Sequence, residues 1–245
     1  MARQLDEQIA GRFPVGRRLR VLDVGMGRGA QALRLARLGH QVTGVERDGA
    51  LLASAREALG LEPEGIRERV RLVQGDGRDT GVHFLPGSFD VVLCHGVLMQ
   101  VTEPDPLVAG LARMLAPGGL LSLLVRNGDA PAMRPGLGGD WAGALAALDT
   151  AAQVPRARTD PDDEPAARRG PEARADRLAT LSATLDGIAA PLHAWYGVQV
   201  FTQTAADDAP VPADPGPMLA AEERAGRTDP YRGVAALLHL CGVRG

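Results

Sequence analysis

The chain has 245 residues, 45% hydrophobic and 23% charged, enough apolar material for one α/β domain with a sizeable core. A formal net charge of -3 and a pI of about 6.0 exclude a global electrostatic pull toward nucleic acid, although a local basic patch remains compatible with them. Cys94 and Cys241 are too far apart for a disulfide framework or zinc spacing. The charged start MARQLDEQIAGRF lacks the apolar run of a signal peptide, and no stretch of about 18 apolar residues could span a membrane, so a cytoplasmic location is expected. Aromatics make up only 3%, so the core must be built from Leu, Val and Ala. Every basic residue other than histidine is Arg, which reads as the codon bias of a GC-rich genome.

Residues 1–13 read as a short helix, with Leu5, Ile9 and Phe13 on one face at helical spacing. A repeating rhythm follows. LRVLDVG (19–25) is an apolar run read as a buried strand, and AQALRLARLG (30–39) is a helix with a glycine stop. QVTGVE (41–46) is a second strand, followed by the helix GALLASAREALG (49–60). VRLVQGD (70–76) and FDVVLCH (89–95) are the third and fourth strands. PLVAGLARMLAPGG (106–119) reads as a helix with a Pro-Gly-Gly exit, and LLSLLVR (120–126) as a fifth strand. Strands alternating with helices predict a parallel sheet, and their continuous apolar character predicts cover on both faces.

Beyond residue 127 the rhythm breaks. Residues 151–178 are rich in Pro, Ala and charge, with six Arg balanced by six acids, a composition that predicts a mobile lid or a partly disordered insertion. A helix is expected at about 178–190, a sixth strand at GVQVFTQ (197–203), a Pro- and Asp-rich loop at 204–218, a helix near 218–226 and a last strand near 235–243. The two late strands would form an antiparallel edge. The whole reads as one domain, 1–245, with a core at 19–126, a substrate-side insertion or lid at 127–196 and C-terminal strands at 197–245.

The strongest chemical signal is VLDVGMGRG (21–29). A buried strand delivers Asp23 and then Gly25, Gly27 and Gly29 just before a helix. Glycine permits a sharp turn and lets a ligand approach the main chain. The same residues also satisfy the dinucleotide pattern G-x-G-x-x-G/A through Gly25, Gly27 and Ala30, so a nicotinamide dehydrogenase is a fold-level competitor. Glu46 closes the second strand, where a carboxylate can accept hydrogen bonds from both ribose hydroxyls of an adenosine ligand. QGDGRD (74–79) closes the third strand; Asp76 can accept from an adenine amino group, and the backbone of Gly77 can read the ring edge. His95 ends the fourth strand over the central crevice, lining the pocket or serving as the one candidate catalytic base.

Taken together, D23-V-G-M-G-R-G29, Glu46, G75-D-G77, F89-D-V-V-L-C-H95 and A116-P-G-G119 resemble the class I S-adenosylmethionine-dependent methyltransferases over roughly residues 19–126. The resemblance implies a Rossmann-like seven-stranded methyltransferase fold, a doubly wound, mostly parallel sheet with an antiparallel C-terminal edge and strand order 3-2-1-4-5-7-6. It implies S-adenosylmethionine as cofactor, held by Asp23, Gly25, Gly27, Gly29, Glu46, Arg47, Asp76, Gly77 and His95. A narrower resemblance, carried by CHGVLMQVTEPDPLVAGLARMLAPGGLLSLLVRNG, GVQVF and the R-x-D-P-Y of Arg227 to Tyr231, is to the bacterial tRNA carboxymethoxyuridine methyltransferases. That family esterifies the carboxylate of a modified wobble uridine, and its pattern places Arg126 and Asn127 on the substrate side.

The chain departs from that narrower family in three ways. The basic run becomes a charge-balanced insertion, an arginine-tyrosine pair is replaced by apolar residues around Ala236 and Leu237, and the N-terminal helix starts abruptly. The abrupt start predicts either an upstream true start or a more open cofactor site. The expected acceptor is a carboxylate or oxygen on modified tRNA. The alternatives are a small-molecule acceptor and a non-catalytic S-adenosylmethionine-binding protein. No metal is expected, because His40, His83, His193 and His239 lack ligand spacing and read as surface or packing residues. Arg17, Arg18 and Arg20 read as a solvated loop rather than an RNA contact. Trp195 and Tyr196 read as packing at a helix-to-strand junction.

Overall fold

The computed structural model describes residues 1–152, 174–205, 210 and 212–245. Most of the expected lid at 151–178, and part of the 204–218 loop, lie outside the described residues. The chain begins with α1 (Ala2–Arg12), β1 (Arg20–Val24), α2 (Ala30–Arg37), β2 (Gln41–Glu46) and α3 (Gly49–Gly60). It continues with α4 (Glu64–Arg67), β3 (Val70–Gln74), α5 (Thr80–His83), β4 (Phe89–His95), α6 (Pro104–Met114) and β5 (Leu115–Arg126). Then come α7 (Met133–Leu137), α8 (Trp141–Ala152), α9 (Leu178–Gly187), β6 (Leu192–Val198), α10 (Gly216–Ala225) and β7 (Leu237–Val243).

The seven strands form one sheet in the order β3-β2-β1-β4-β5-β7-β6, as the family resemblance implies. β1 pairs in parallel with β2 and β4, β2 with β3, and β4 with β5, while β7 runs antiparallel. The apolar runs are covered on both faces: Val21, Leu22, Val91, Val92, Leu93, Leu120 and Leu121 are fully buried. The periodic helices turn one stripe inward, as α2 does with Ala32, Leu33, Leu35 and Ala36.

By compactness the chain divides into two units. The first comprises Met1–Val125, Ala179–Tyr196 and His239–Gly245; the second comprises Arg126–Leu178 and Gly197–Leu238. The segment expected as a lid, 127–196, is thus shared between them. Within the second unit, Val200, Ala225 and Ala235 form a small core.

Two strands, β5 and β6, depart from the sequence reading by several residues, each for a local reason. The Pro-Gly-Gly segment, expected to finish a helix, lies inside β5. α6 stops at Met114 because Leu115 is already extended. Phe89 pairs with Leu115 and Val91 with Leu120, so β4 advances two residues while β5 advances five. The surplus bulges out, with Gly118 at φ 72° and Gly119 so close to Asp90 O that a Cβ would lie 3.0 Å from it.

The sixth strand is Leu192–Val198, not 197–203. Gln199 takes φ 59°, and Glu222 of α10 then captures the next three backbone N–H groups. Its Oε2 accepts from Val200 N at 2.8 Å, and its Oε1 from Phe201 N and Thr202 N at 2.9 and 2.8 Å. N–H groups held by a side chain are withdrawn from a strand ladder. Trp195 and Tyr196 consequently stand within β6 rather than at a junction.

Two of the three arginines at the start of β1, Arg17 and Arg20, are engaged rather than merely solvated. Arg17 Nη2 donates to Asp90 Oδ1 at 2.8 Å, and the backbone N of Arg20 donates to Asp90 Oδ2 at 2.9 Å. α1 is anchored by Leu5, which is fully buried, with Ile9 and Phe13 packed on the same cluster. Leu5→Ala is therefore expected to cost about 2–5 kcal/mol. Urea unfolding with an unchanged slope and a lower midpoint would show it.

Candidate functional site

The strand order reverses between β1 and β4, and a cleft of about 690 Å³ opens at the carboxyl ends of the strands there. Its floor is the turn after β1. Gly25, Gly27 and Gly29 have φ of 66°, 58° and 77°, the left-handed region that glycine occupies without cost. Gly25 N donates to Val45 O at 2.8 Å, which ties the turn to β2. A Cβ on Gly25 would collide with Val97, whereas one on Gly27 would meet nothing within 4 Å. Gly27 thus leaves room where a ligand approaches the backbone.

The carboxylate of Glu46 is fixed on both oxygens. Gly27 N donates to Oε2 and Asp48 N donates to Oε1, each at 2.9 Å. Glu46 is 6% exposed and still lines the cleft. Each oxygen retains acceptor capacity beyond its one backbone bond. Asp48 caps α3 by accepting from Ala50 N and Leu51 N, which holds the neighbouring turn.

Across the cleft, Asp76 accepts from Arg78 N at 2.9 Å and from the Arg78 guanidinium at 2.7 Å. Those Arg78 hydrogen bonds hold its carboxyl down at about 2, so it is ionised at neutral pH. Gly77 is tight against the strand, since a Cβ there would collide with Val24.

His95 lines the same cleft. Its Nε2 lies 2.8 Å from Ser122 Oγ, which lies 2.8 Å from His239 Nε2. Burial pushes the His95 imidazole down to about 4 and that of His239 down to about 3, so both are neutral at pH 7.

Gly25, Gly27, Glu46, Arg47, Asp76, Gly77 and His95 all line the cleft. Asp23 and Gly29 do not. Asp23 is 2% exposed within β1, with Oδ2 unpartnered among the described residues, and Gly29 caps α2, where a Cβ would press Ala55 at 3.3 Å. Arg126 is exposed at the end of β5. Asn127 is committed to its own loop: its Nδ2 donates to Gly233 O and Ala235 O, and its Oδ1 accepts from Asp129 N.

The sequence reading did not single out Asp48, Arg78, Gly96, Val97 or Gln100, all of which line the cleft. Asp48 carried a signal, an Asp directly before an apolar helical run. Ser122, inside a continuous apolar strand, carried none. The second unit has its own hollow of about 780 Å³, lined by residues that include Phe201, Ala221, Arg224, Ala225 and Tyr231.

An open, mostly parallel sheet with a glycine turn, an acid closing the second strand and a cleft at the switch point defines a nucleotide-cofactor-binding α/β domain. Through residues 22–123 the chain matches the methyltransferase domain family. It is 33% identical over 123 residues to the tRNA 5-carboxymethoxyuridine methyltransferase of Escherichia coli K12, covering 50% of this chain and 45% of that one. It is 40% identical over 112 residues to a ubiquinone biosynthesis O-methyltransferase of Xanthomonas oryzae pv. oryzae, covering 44% and 43%. The chain thus spans about half the length of these curated relatives. The fold also matches an S-adenosylmethionine-dependent methyltransferase from Mesorhizobium loti, with a TM-score of 0.60 at 18% identity, over 97% of this chain and 96% of that one.

Asp23 sets a pH dependence. Burial, and secondly the charge of Glu46, push its carboxyl from an ordinary 3.8 up to about 7. Between about pH 4 and 7 the folded state holds a proton that the unfolded chain has released, so stability falls as pH rises through this window. The loss levels off above about pH 7 at no more than about 4 kcal/mol. Asp23→Asn is expected to flatten that decline, read as thermal midpoints of both proteins between about pH 5 and 8. Parallel profiles would remove Asp23 as the cause.

Proposed function

We propose that this protein is an enzyme that transfers a methyl group from S-adenosylmethionine, held in the cleft between β1 and β4, to an oxygen acceptor. The observation that carries the reading is the Glu46 carboxylate, fixed by Gly27 N–H and Asp48 N–H beside the glycine turn. Its remaining lone pairs suit the paired hydroxyls of a ribose. Asp76, kept ionised by Arg78, offers an acceptor for an adenine amino group. Arg47 supplies positive charge at the cleft wall. When bound, the cofactor would supply a sulfonium-activated methyl group. The protein's own part is to position it and exclude water.

A carboxylate acceptor is ionised near neutral pH and needs no base. For a hydroxyl acceptor, the neutral His95 imidazole lines the cleft and can take a proton. The likeness to a relative named for tRNA carboxymethoxyuridine supports a modified tRNA as acceptor. The net charge of -3 supports a small molecule instead, since it offers no general attraction to a polyanion. Comparing tRNA and metabolite pools by mass between a deletion strain and its parent separates these. Loss of one methyl from a tRNA nucleoside supports the first and loss from a metabolite the second; no change in either leaves a protein that binds the cofactor without catalysis.

S-adenosylhomocysteine is expected to bind, and NAD is not. Glu46→Ala is expected to weaken S-adenosylhomocysteine at least about 10-fold, since each charge-assisted bond lost is worth about 1.5–3 kcal/mol. Calorimetry with an unchanged affinity in that variant would remove the ribose assignment.

A further inference from the structure

A chain of buried polar groups runs from the cleft to the N-terminal helix. It begins at His95 on the cleft wall, passes through Ser122 Oγ to His239 Nε2, and ends where His239 Nδ1 lies 3.1 Å from Gln4 Oε1. Ser122 and His239 are fully buried, and Gln4 is 3% exposed. Tyr196 stacks on the His239 ring at 29° with centroids 5.8 Å apart, which fixes the plane of that imidazole.

The protons in this chain can be counted. Each neutral imidazole carries one N–H and one bare nitrogen. Ser122 has a single hydroxyl proton and lies between two Nε2 atoms, so it donates to one and accepts from the other. The two histidines must therefore hold opposite tautomers. Gln4 decides which. Its Oε1 can only accept, so the His239 proton sits on Nδ1 and His239 Nε2 is bare. Cys241 agrees: its Sγ lies 3.5 Å from His239 Nε2, and burial, which pushes the thiol up to about 12, keeps it an S–H donor. Ser122 then donates to His239, accepts from His95 Nε2–H, and leaves His95 Nδ1 bare. Nδ1 has no partner among the described residues.

We infer that Gln4 of α1 fixes the proton position on His95 through His239 and Ser122, so that His95 Nδ1 presents a hydrogen-bond acceptor to whatever occupies the cleft. Gln4, His239 and Ser122 are positioning residues in this arrangement. The group that meets His95 must carry an N–H or O–H donor, such as an ammonium or a hydroxyl. An acceptor carboxylate in its ionised form would find no partner there. That assignment of the ligand rests on the cleft holding cofactor or acceptor; the tautomer itself does not.

Nitrogen-15 NMR of the full chain labelled at its five histidines reads both tautomers in the free protein. His95→Gln and His239→Gln assign the resonances by their loss. The expected result is an Nε2–H tautomer at His95 and an Nδ1–H tautomer at His239. Ser122→Ala should release His95 into a mixture of tautomers, and Ser122→Thr, which restores the hydroxyl, should return it to Nε2–H. Should either Ser122 variant fail to fold, Gln4→Leu tests the far end of the same chain, with the same mixture expected.

An Nδ1–H tautomer at His95 in the unaltered protein overturns the inference, as does a His95 signal unchanged in every folded variant. Titration then separates the donors. A His95 Nδ1 shift with S-adenosylhomocysteine but not with 5′-methylthioadenosine assigns the donor to the amino-acid ammonium. No shift with either, while both bind, assigns it to the methyl acceptor. If neither compound binds, the proposed function falls while the tautomer result stands.

Discussion

The cleft exists because a parallel sheet must return its chain across one face or the other, and here the direction of that return changes between β1 and β4. Helices leaving the two strands part in opposite directions, and the carboxyl ends of both strands are left uncovered. The other features of the site follow from that opening. The turn after β1 has to reverse direction within a few residues beside a neighbouring strand, which is why left-handed glycines occupy it. Glu46 ends β2 one strand away and reaches back to the same turn. Asp76 follows the end of β3 and His95 ends β4, the next strands on either side.

The half of the chain that obeys this rule was legible in its residues. β2, α3 and β4 fall at the boundaries read from the sequence, because long apolar runs between glycines leave few alternatives for strand or helix. The placement of Glu46 and His95 was legible for the same reason, since a position at the end of a strand is a property of the chain itself. What could not be read were the places where a distant group wins a local competition. Glu222 lies 20 to 22 residues from the backbone it captures, and no pattern within residues 197–203 announces it. Ser122 sits in an apolar strand between two histidines separated by more than a hundred residues. Asp90 was likewise silent until Arg17 and Arg20 were seen to converge on it.

The first unit concentrates its buried polarity close to the cleft. Asp23 and His239 are sequestered from water and His95 is partly so, and burial shifts each toward its uncharged form. Cys94, beside His95 in β4, is pushed up to about 12 by burial and then by Asp23, which leaves it an inert thiol. A site kept neutral in this way leaves the field inside it to the few groups that stay charged. Asp76 and Arg78 are examples, and both sit at the solvent side. Charge on a ligand would therefore be felt strongly near His95 and be largely answered near Asp76.

β6 is the outermost strand of the sheet, and an outer strand is where sheets recruit strangers. Had residues 199–203 continued it, a longer row of unsatisfied amides would face outward as a template for another chain. Glu222 occupies the amides of Val200, Phe201 and Thr202 with one carboxylate, and the left-handed Gln199 turns the backbone away before that row can form. Phe201, 59% exposed, would otherwise add an aromatic side chain to such a template. One acidic side chain thus holds three amides that a longer edge strand would leave open.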